Sequence, residues 1–301
     1  MKERSLVLGL VCGLAWSGAG AQEVDPAKVE VKAQALAPGV AMITGAGGNL
    51  ALAYGADGAL LVDDQYAPLT EKIRATVATL TDRPIRFVIN THWHGDHTGG
   101  NENLGKAGTL IVAHDNVRVR MSTEQFLALW NEKVPASPPA ALPVVTFSET
   151  ATLHLDGEEI HAFHVAPAHT DGDSVIHFRR ADVLHAGDLF FNGMYPFVDL
   201  DSGGSYLGLI AAVERLVAMA KESTKIVPGH GPLASAADLR RYREMLAGVR
   251  DAVQPLVAAG KSVDEIVAAE PTARWDEAWG NGFMKADVFT RIVAKSLGAK
   301  G

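Results

Sequence analysis

The stretch Ile85-Arg86-Phe87-Val88-Ile89-Asn90-Thr91-His92-Trp93-His94-Gly95-Asp96-His97-Thr98-Gly99-Gly100 decides the reading of this chain. Residues 85–90 form a short buried strand that runs directly into a cluster of histidines. Within the six residues 92–97 stand four candidate metal donors: His92, His94, Asp96 and His97. Zinc takes nitrogen and oxygen ligands about 2 Å away, and a hydrolytic site must bring them together while leaving room for water. His92 and His94, two apart, point the same way if strand geometry persists. Gly95 permits a tight turn, after which Asp96 and His97 face a second ion beside the first. The pair Gly99-Gly100 lets the loop fold back closely. A solvated polar turn has no need of three imidazoles, so the run reads as a metal loop.

Outward from this loop the chain alternates between two kinds of pattern. Over residues 40–64, apolar stretches (VAMI, LALAY, ALLVD) are separated by the turns Gly45-Ala46-Gly47-Gly48 and Gly55-Ala56-Asp57-Gly58, which reads as a β-meander. Residues 68–80 read as helix, residues 110–113 as a strand followed by helix to about residue 133, and the Pro-rich piece 134–143 as a surface loop. A second run of strands follows at 144–147, 151–155, 159–165, 174–178 and 183–186. Helices close the chain at about 205–222, 236–258, 262–269 and 284–297. Strands then helix, twice over, predict two sheets packed face to face with helices outside. There is no internal repeat, and one domain is expected across residues 22–301.

The 301 residues carry a formal charge of −8 and are 48% hydrophobic, which fits an ordinary globular core and argues against a nucleic-acid binder. The N-terminus has the form of a signal peptide over residues 1–21. Lys2 and Arg4 are its positive region, residues 6–16 its apolar region, and Ala19-Gly20-Ala21 its cleavage site, giving a start near Gln22. The apolar run is shorter than the roughly 20 residues that span a bilayer, so no stable membrane span is expected after cleavage. The expected location is periplasmic or secreted. Cys12 is the single cysteine, so the processed chain has no thiol for a disulfide, a metal ligand or a nucleophile. The remaining histidines His114, His154, His161, His164, His177 and His185 stand singly and read as bland residues.

The pattern His-x-His-x-Asp-His after a strand resembles the signature of the metallo-β-lactamase superfamily, and the resemblance spans residues 36–245. Three further elements appear in the expected order. His169 stands in Ala168-His169-Thr170-Asp171-Gly172-Asp173, Asp188 in His185-Ala186-Gly187-Asp188, and His230 in Pro228-Gly229-His230-Gly231. The resemblance implies an α+β fold, a four-layer αββα sandwich of two mixed sheets with helices outside. It also implies two zinc ions per chain. His92, His94 and His169 would hold one, Asp96, His97 and His230 the other, and Asp188 would bridge them beside a bridging water. Asp63 matches the family's structural aspartate, which buttresses the histidine loop; on its own it reads equally as a turn residue. An N/O donor set rich in histidine fits zinc best, with iron or manganese as alternatives.

The implied mechanism is attack on an amide or ester carbonyl by a metal-bridging hydroxide, with Asp96 as the catalytic residue that orients it and shuttles its proton. Asn192, Tyr195 and Trp93 are candidates for the substrate pocket, among the aromatics Phe190, Phe191 and Phe197; each reads equally well as core. The turn of residues 45–49 is a candidate flap. The leading expectation is an exported binuclear zinc hydrolase with β-lactamase-like activity on a small-molecule substrate. Zinc β-lactamases often have cysteine or serine where Asp188 stands. Those with the cysteine also have a lysine three residues later, where this chain has Phe191. Aspartate at 188 resembles the glyoxalase II and lactonase branches, so a thioesterase or lactonase is the alternative. A di-iron oxidoreductase is disfavoured, because that branch has glutamate where His94 stands and carries a flavodoxin domain. A non-catalytic metal-binding protein is the remaining reading. Oligomeric state is not legible.

Overall fold

The computed structural model describes residues 25–300, so the signal peptide expected over residues 1–21 lies outside the described residues. The first sheet has seven strands. These are β1 (Lys32–Ala37), β2 (Val40–Thr44), β3 (Leu50–Gly55), β4 (Gly58–Val62), β5 (Ile85–Ile89), β6 (Leu110–His114) and β9 (Val145–Phe147), in that spatial order. The pairings β1–β2, β2–β3 and β3–β4 are antiparallel; β4–β5, β5–β6 and β6–β9 are parallel. Between them in the chain, β7 (Gln125–Leu127) and β8 (Glu132–Val134) form a separate hairpin. The second sheet runs β10 (Thr150–Leu155), β11 (Glu158–His164), β12 (Ser174–Phe178), β13 (Val183–His185) and β14 (Lys225–Val227), with the last pairing parallel.

The period-two alternation of the strands builds three layers of core. In β3 and β4, Ala51, Ala53, Leu60 and Val62 face the second sheet, meeting Ile160, Ala162, Ile176, Phe178 and Val183. The intervening Leu50, Leu52, Ala59 and Leu61 face outward onto Ile73 and Val77 of α1 (Thr70–Ala78). Strands buried on both faces need helices over them. On the first sheet α1 supplies the cover, with Leu104 added from α3 (Asn101–Lys106), which follows the one-turn α2 (Gly95–Thr98). The outer face of the second sheet packs on α5 (Tyr206–Met219), α6 (Ala236–Ala258), α7 (Val263–Ala268) and α9 (Ala286–Ser296) through Leu209, Val213, Tyr242, Val249, Ile266 and Phe289. The result is the αββα sandwich with two mixed sheets.

Several segments differ from the sequence expectation. Helix α4 (Asp115–Met121) stops twelve residues short of residue 133. The hydroxyls of Ser122 and Thr123 both bond back to the Val119 carbonyl, ending the helix by side-chain competition. Asn131 then takes a left-handed conformation, φ 51°, in the β7–β8 turn. The strands β1 and β14 and the helix α8 (Ala273–Trp279) were not expected. β1 is largely exposed, and β14 is three residues long, so neither gives a periodic signal. Among the described residues no helix is long and apolar enough to cross a membrane.

Candidate metal centre

The site sits where β4, β5 and β13 end. Asp63, immediately after β4, is fully buried with φ 60°. That turn aims its carboxylate along the histidine loop. Oδ1 accepts from the Thr91 backbone N–H (2.7 Å), and Oδ2 accepts from the Thr91 hydroxyl (2.8 Å) and from His97 Nδ1 (2.8 Å). Asp64 and Gln65 extend the cradle. Asp64 Oδ1 accepts from Gly100 N (2.8 Å), and Gln65 Nε2 donates to the Gly48 carbonyl (2.8 Å). Burial holds the Asp64 carboxyl well above its usual range.

Local hydrogen bonds fix which nitrogen carries the proton in three of the imidazoles. Thr91 gives its one hydroxyl proton to Asp63, so His92 Nδ1 donates to the Thr91 oxygen (3.0 Å) and leaves Nε2 as a lone pair. His94 Nε2 donates to Asp199 Oδ2 (2.9 Å), which leaves Nδ1 bare. His169 Nδ1 donates to the Phe197 carbonyl (2.8 Å), which leaves Nε2 bare. These three bare nitrogens face one another. His94 Nδ1 lies 3.1 Å from His92 Nε2 and 2.9 Å from His169 Nε2. Acceptors so close, with no proton between them, repel unless a cation lies among them.

A second cluster of donors lies beside them. His97 gives its Nδ1 proton to Asp63, so Nε2 confronts Asp188 Oδ1 at 3.1 Å, and both atoms are buried without a hydrogen-bond partner. His230 Nε2 lies 3.3 Å from Asp96 Oδ2 and 3.4 Å from Asp188 Oδ2. His92, His94, His169 and Asp188 each present one donor atom, all within 4.8 Å of one another, and so do Asp96, His97 and His230. A pair of cation sites fits this donor set, which is all imidazole and carboxylate.

Titration directions agree with the geometry. Burial pushes His92 well below the usual histidine range, with His97 adding to it. Burial likewise takes His169 down to about 4. At His230 burial opposes protonation, but Asp188 and Asp96 outweigh it and raise the imidazole to about 9; His97 moves the same way for the same reason. Burial would raise Asp96, yet His97 and His230 bring it down to about 2. Without an ion, protons are held where a cation would sit.

The three candidate pocket residues are each engaged with other parts of the protein. Tyr195 is fully buried, stacked on Phe289 at 4.4 Å, and its hydroxyl donates to Asp276 Oδ1 (2.7 Å), so it is not free to meet a substrate. Asn192 spends its amide on the Pro232 carbonyl (2.9 Å) and its backbone N–H on the His230 carbonyl, bracing the His230 loop. Trp93 is 4% exposed and packs with Ala113, Val117, Met121 and Leu127 behind His94. Its Nε1 donates to Ser202 Oγ (3.1 Å), and the Ser202 backbone N–H in turn donates to Asp199 Oδ1 (3.1 Å). The turn of residues 45–49 is no free flap: Gly48 N–H donates to the Asp96 carbonyl, and Asn49 Nδ2 donates to the carbonyls of Pro228 and Gly231.

Sequence reasoning missed Asp199, Thr91 and Asn49, each of which orients a ligand loop through hydrogen bonds. Thr91 adjoins His92 and was within reach of inspection; Asp199 and Asn49 have no spacing to the motif that would expose them. His185 donates to the Asn49 carbonyl and accepts from Gly187 N–H, so both its nitrogens are spent.

The metallo-beta-lactamase superfamily model matches residues 44–230. The chain belongs to that superfamily, whose members are mostly metal-dependent hydrolases, some with other reactions. Among solved structures, the chain is similar to a metallo-beta-lactamase from Pontibacter korlensis, with TM-score 0.60 and 20% identity, covering 72% of this chain and 99% of that one. It is also similar to a sec-alkylsulfatase from Pseudomonas sp., with TM-score 0.65 and 16% identity, covering 88% of this chain and 50% of that one. By sequence it is 24% identical over 246 residues to the 2,4-dinitroanisole O-demethylase subunit alpha of Nocardioides sp. (strain JS1661), which is 79% of this chain and 70% of the relative. A hydroxyacylglutathione hydrolase of Pelagibacter ubique (strain HTCC1062) is 24% identical over 148 residues, 48% of this chain and 52% of the relative.

Proposed function

We propose that the chain is an exported hydrolase that holds two zinc ions and cleaves an amide or ester carbonyl, with β-lactamase-like activity as its leading chemistry. One observation carries the reading: seven imidazole and carboxylate side chains converge in two adjoining clusters, and the facing nitrogens of His92, His94 and His169 have no proton between them. His92, His94 and His169 would hold one ion and Asp96, His97 and His230 the other, with Asp188 between them. When bound, the ions supply Lewis acidity and bring the pKa of water toward neutrality. Asp96, ionised throughout the physiological range and part-exposed, orients the attacking water, takes up its proton and returns it to the leaving group. Asp63 and Asp199 hold His97 and His94 in the orientation and tautomer that this requires.

A thioesterase is the second reading, favoured by the aspartate at 188 and by the similarity to a hydroxyacylglutathione hydrolase. A hydrolysis panel of nitrocefin, a penicillin, a lactone and a thioester on zinc-loaded protein separates the two. Turnover of any one, abolished in Asp96→Ala and His94→Ala, supports a hydrolase; silence on every one overturns it. Export is supported by the pattern of residues 1–21, and N-terminal sequencing of the expressed chain is expected to begin near Gln22.

A further inference from the structure

Both flanks of the metal centre end in aromatic rings that the proposed chemistry does not use. On the side of His97 and His230, Phe191 is fully buried and stacks on His230, with ring centres 5.1 Å apart and planes 13° from parallel. Phe283 lies against both, 6.1 Å from His230 and 6.0 Å from Phe191, yet is 55% exposed. Its loop is anchored at both ends. The Trp279 carbonyl accepts from Tyr195 N–H (2.8 Å), Met284 is buried, and Gly282 approaches Met194 so closely that a Cβ there would sit 2.6 Å from the Met194 Cβ. An exposed ring on so firmly held a loop is an unfilled apolar wall.

The opposite flank repeats the arrangement. Phe197 packs on His94 (5.8 Å) and His169 (5.7 Å), and Trp130, at the tip of the β7–β8 hairpin, packs on Phe197 at 4.6 Å. Next to Trp130, Leu129 is 41% exposed. The hairpin tip is tied down by the Ala128 N–H bond to Asp201 Oδ2 (2.7 Å). On this flank the part-buried Arg120 is held by Asp171 through two 2.7 Å bonds, and the exposed Lys133 lies 3.2 Å from Glu124. Glu132 of the same hairpin adds negative charge toward Tyr66.

We infer that the centre takes an uncharged substrate with apolar groups on both sides of the scissile carbonyl, one lying on Phe283 and the other on Trp130. Phe283 is thus a specificity-determining residue, supplied by the C-terminal part of the chain. The inference rests on the hydrolase reading for its chemistry but not for its binding surface.

The test uses the zinc-loaded full chain and p-nitrophenyl esters from acetate to hexanoate, in which the aryl group fills one wall throughout. The expected result is a kcat/KM that climbs about fourfold per methylene, the equivalent of ~0.8 kcal/mol for each buried CH2. In Phe283→Ala or Trp130→Ala the slope falls below about twofold, and in Phe283→Leu it is kept. The p-nitrophenyl hemisuccinate is expected to be a poorer substrate than the butyrate. Calorimetric binding of the neutral anilides of the same acids separates the two claims. If no ester turns over but anilide affinity climbs with chain length and loses its slope in Phe283→Ala, the hydrolase reading fails and the apolar site stands. A flat slope for the anilides, an unchanged slope in both alanine variants, or preference for the hemisuccinate overturns the inference.

Discussion

Replacing Asp63 with Asn isolates what a buried carboxylate does for a metal site it does not touch. Asn keeps the shape and tolerates the left-handed backbone, so neither packing nor φ 60° adds a cost. One carbonyl oxygen still accepts from Thr91 N–H (2.7 Å). The other position becomes an NH2 group facing the Nδ1 proton of His97, where the carboxylate now accepts at 2.8 Å. Two outcomes are open to His97. Either its Nδ1–H is left buried and unpaired, costing about 1–3 kcal/mol, or the ring changes tautomer. In the second case the proton moves to Nε2, onto the side that faces Asp188 Oδ1 at 3.1 Å, and must leave before an ion can bind. Both routes weaken binding of the ion that Asp96, His97 and His230 would hold. The expected loss is about 10–100-fold in affinity, or roughly 1.4–2.7 kcal/mol. Competition for zinc against a chromophoric chelator measures both binding steps. One step is expected to weaken by that amount and the other to hold within a few-fold. Two native affinities in Asp63→Asn would refute the argument.

The other flank behaves alike: Asp199→Asn removes the acceptor of His94 Nε2, and zinc titration is expected to show the opposite step weakened by about 10–100-fold. Gly48→Ala places a Cβ 2.2 Å from the His97 ring; calorimetric unfolding should show a loss of about 1–3 kcal/mol together with weaker zinc binding, and an unchanged midpoint would contradict the close contact. Metal-free protein is expected to be most stable near pH 6.5. The raised His230, at about 9, contributes stability that is complete below pH 6.5 and lost as pH rises through 9, whereas the lowered His169, at about 4, costs stability as pH falls from 6.5 toward 4. Each limb is worth on the order of 3 kcal/mol. Chemical unfolding of the metal-free chain across pH 4–9 checks this, and a profile that rises steadily through pH 9 would count against it.

What could be read from sequence follows from how local the signal is. The run 92–97 and the alternating strands around it are local patterns, and they gave the two-sheet architecture before any contact was known. His169, Asp188 and His230 come only with the resemblance, because the chain brings them to the loop from far along the sequence, as the 75-residue separation of the contacting His94 and His169 illustrates. Asn192, Tyr195 and Trp93 were chosen for chemical type and nearness to ligands. Their fate was set by partners that sequence does not announce: Pro232, Asp276 and Ser202. The helix expected to residue 133 failed because Ser122 and Thr123 turn their hydroxyls onto Val119, a choice that no periodicity encodes. Phe283 carries no sequence signal, since one exposed phenylalanine is ordinary and only the fold brings it against His230.

The seven inward-facing donors are expected to hold two cations. Metal content of the full chain, purified from zinc-supplemented culture and measured by plasma mass spectrometry, tests it most directly. Two zinc ions per chain are expected, falling to one or fewer in Asp188→Ala, whose carboxylate lies against both groups of donors. A native chain that retains less than one ion, or an Asp188→Ala chain that keeps two, would contradict it.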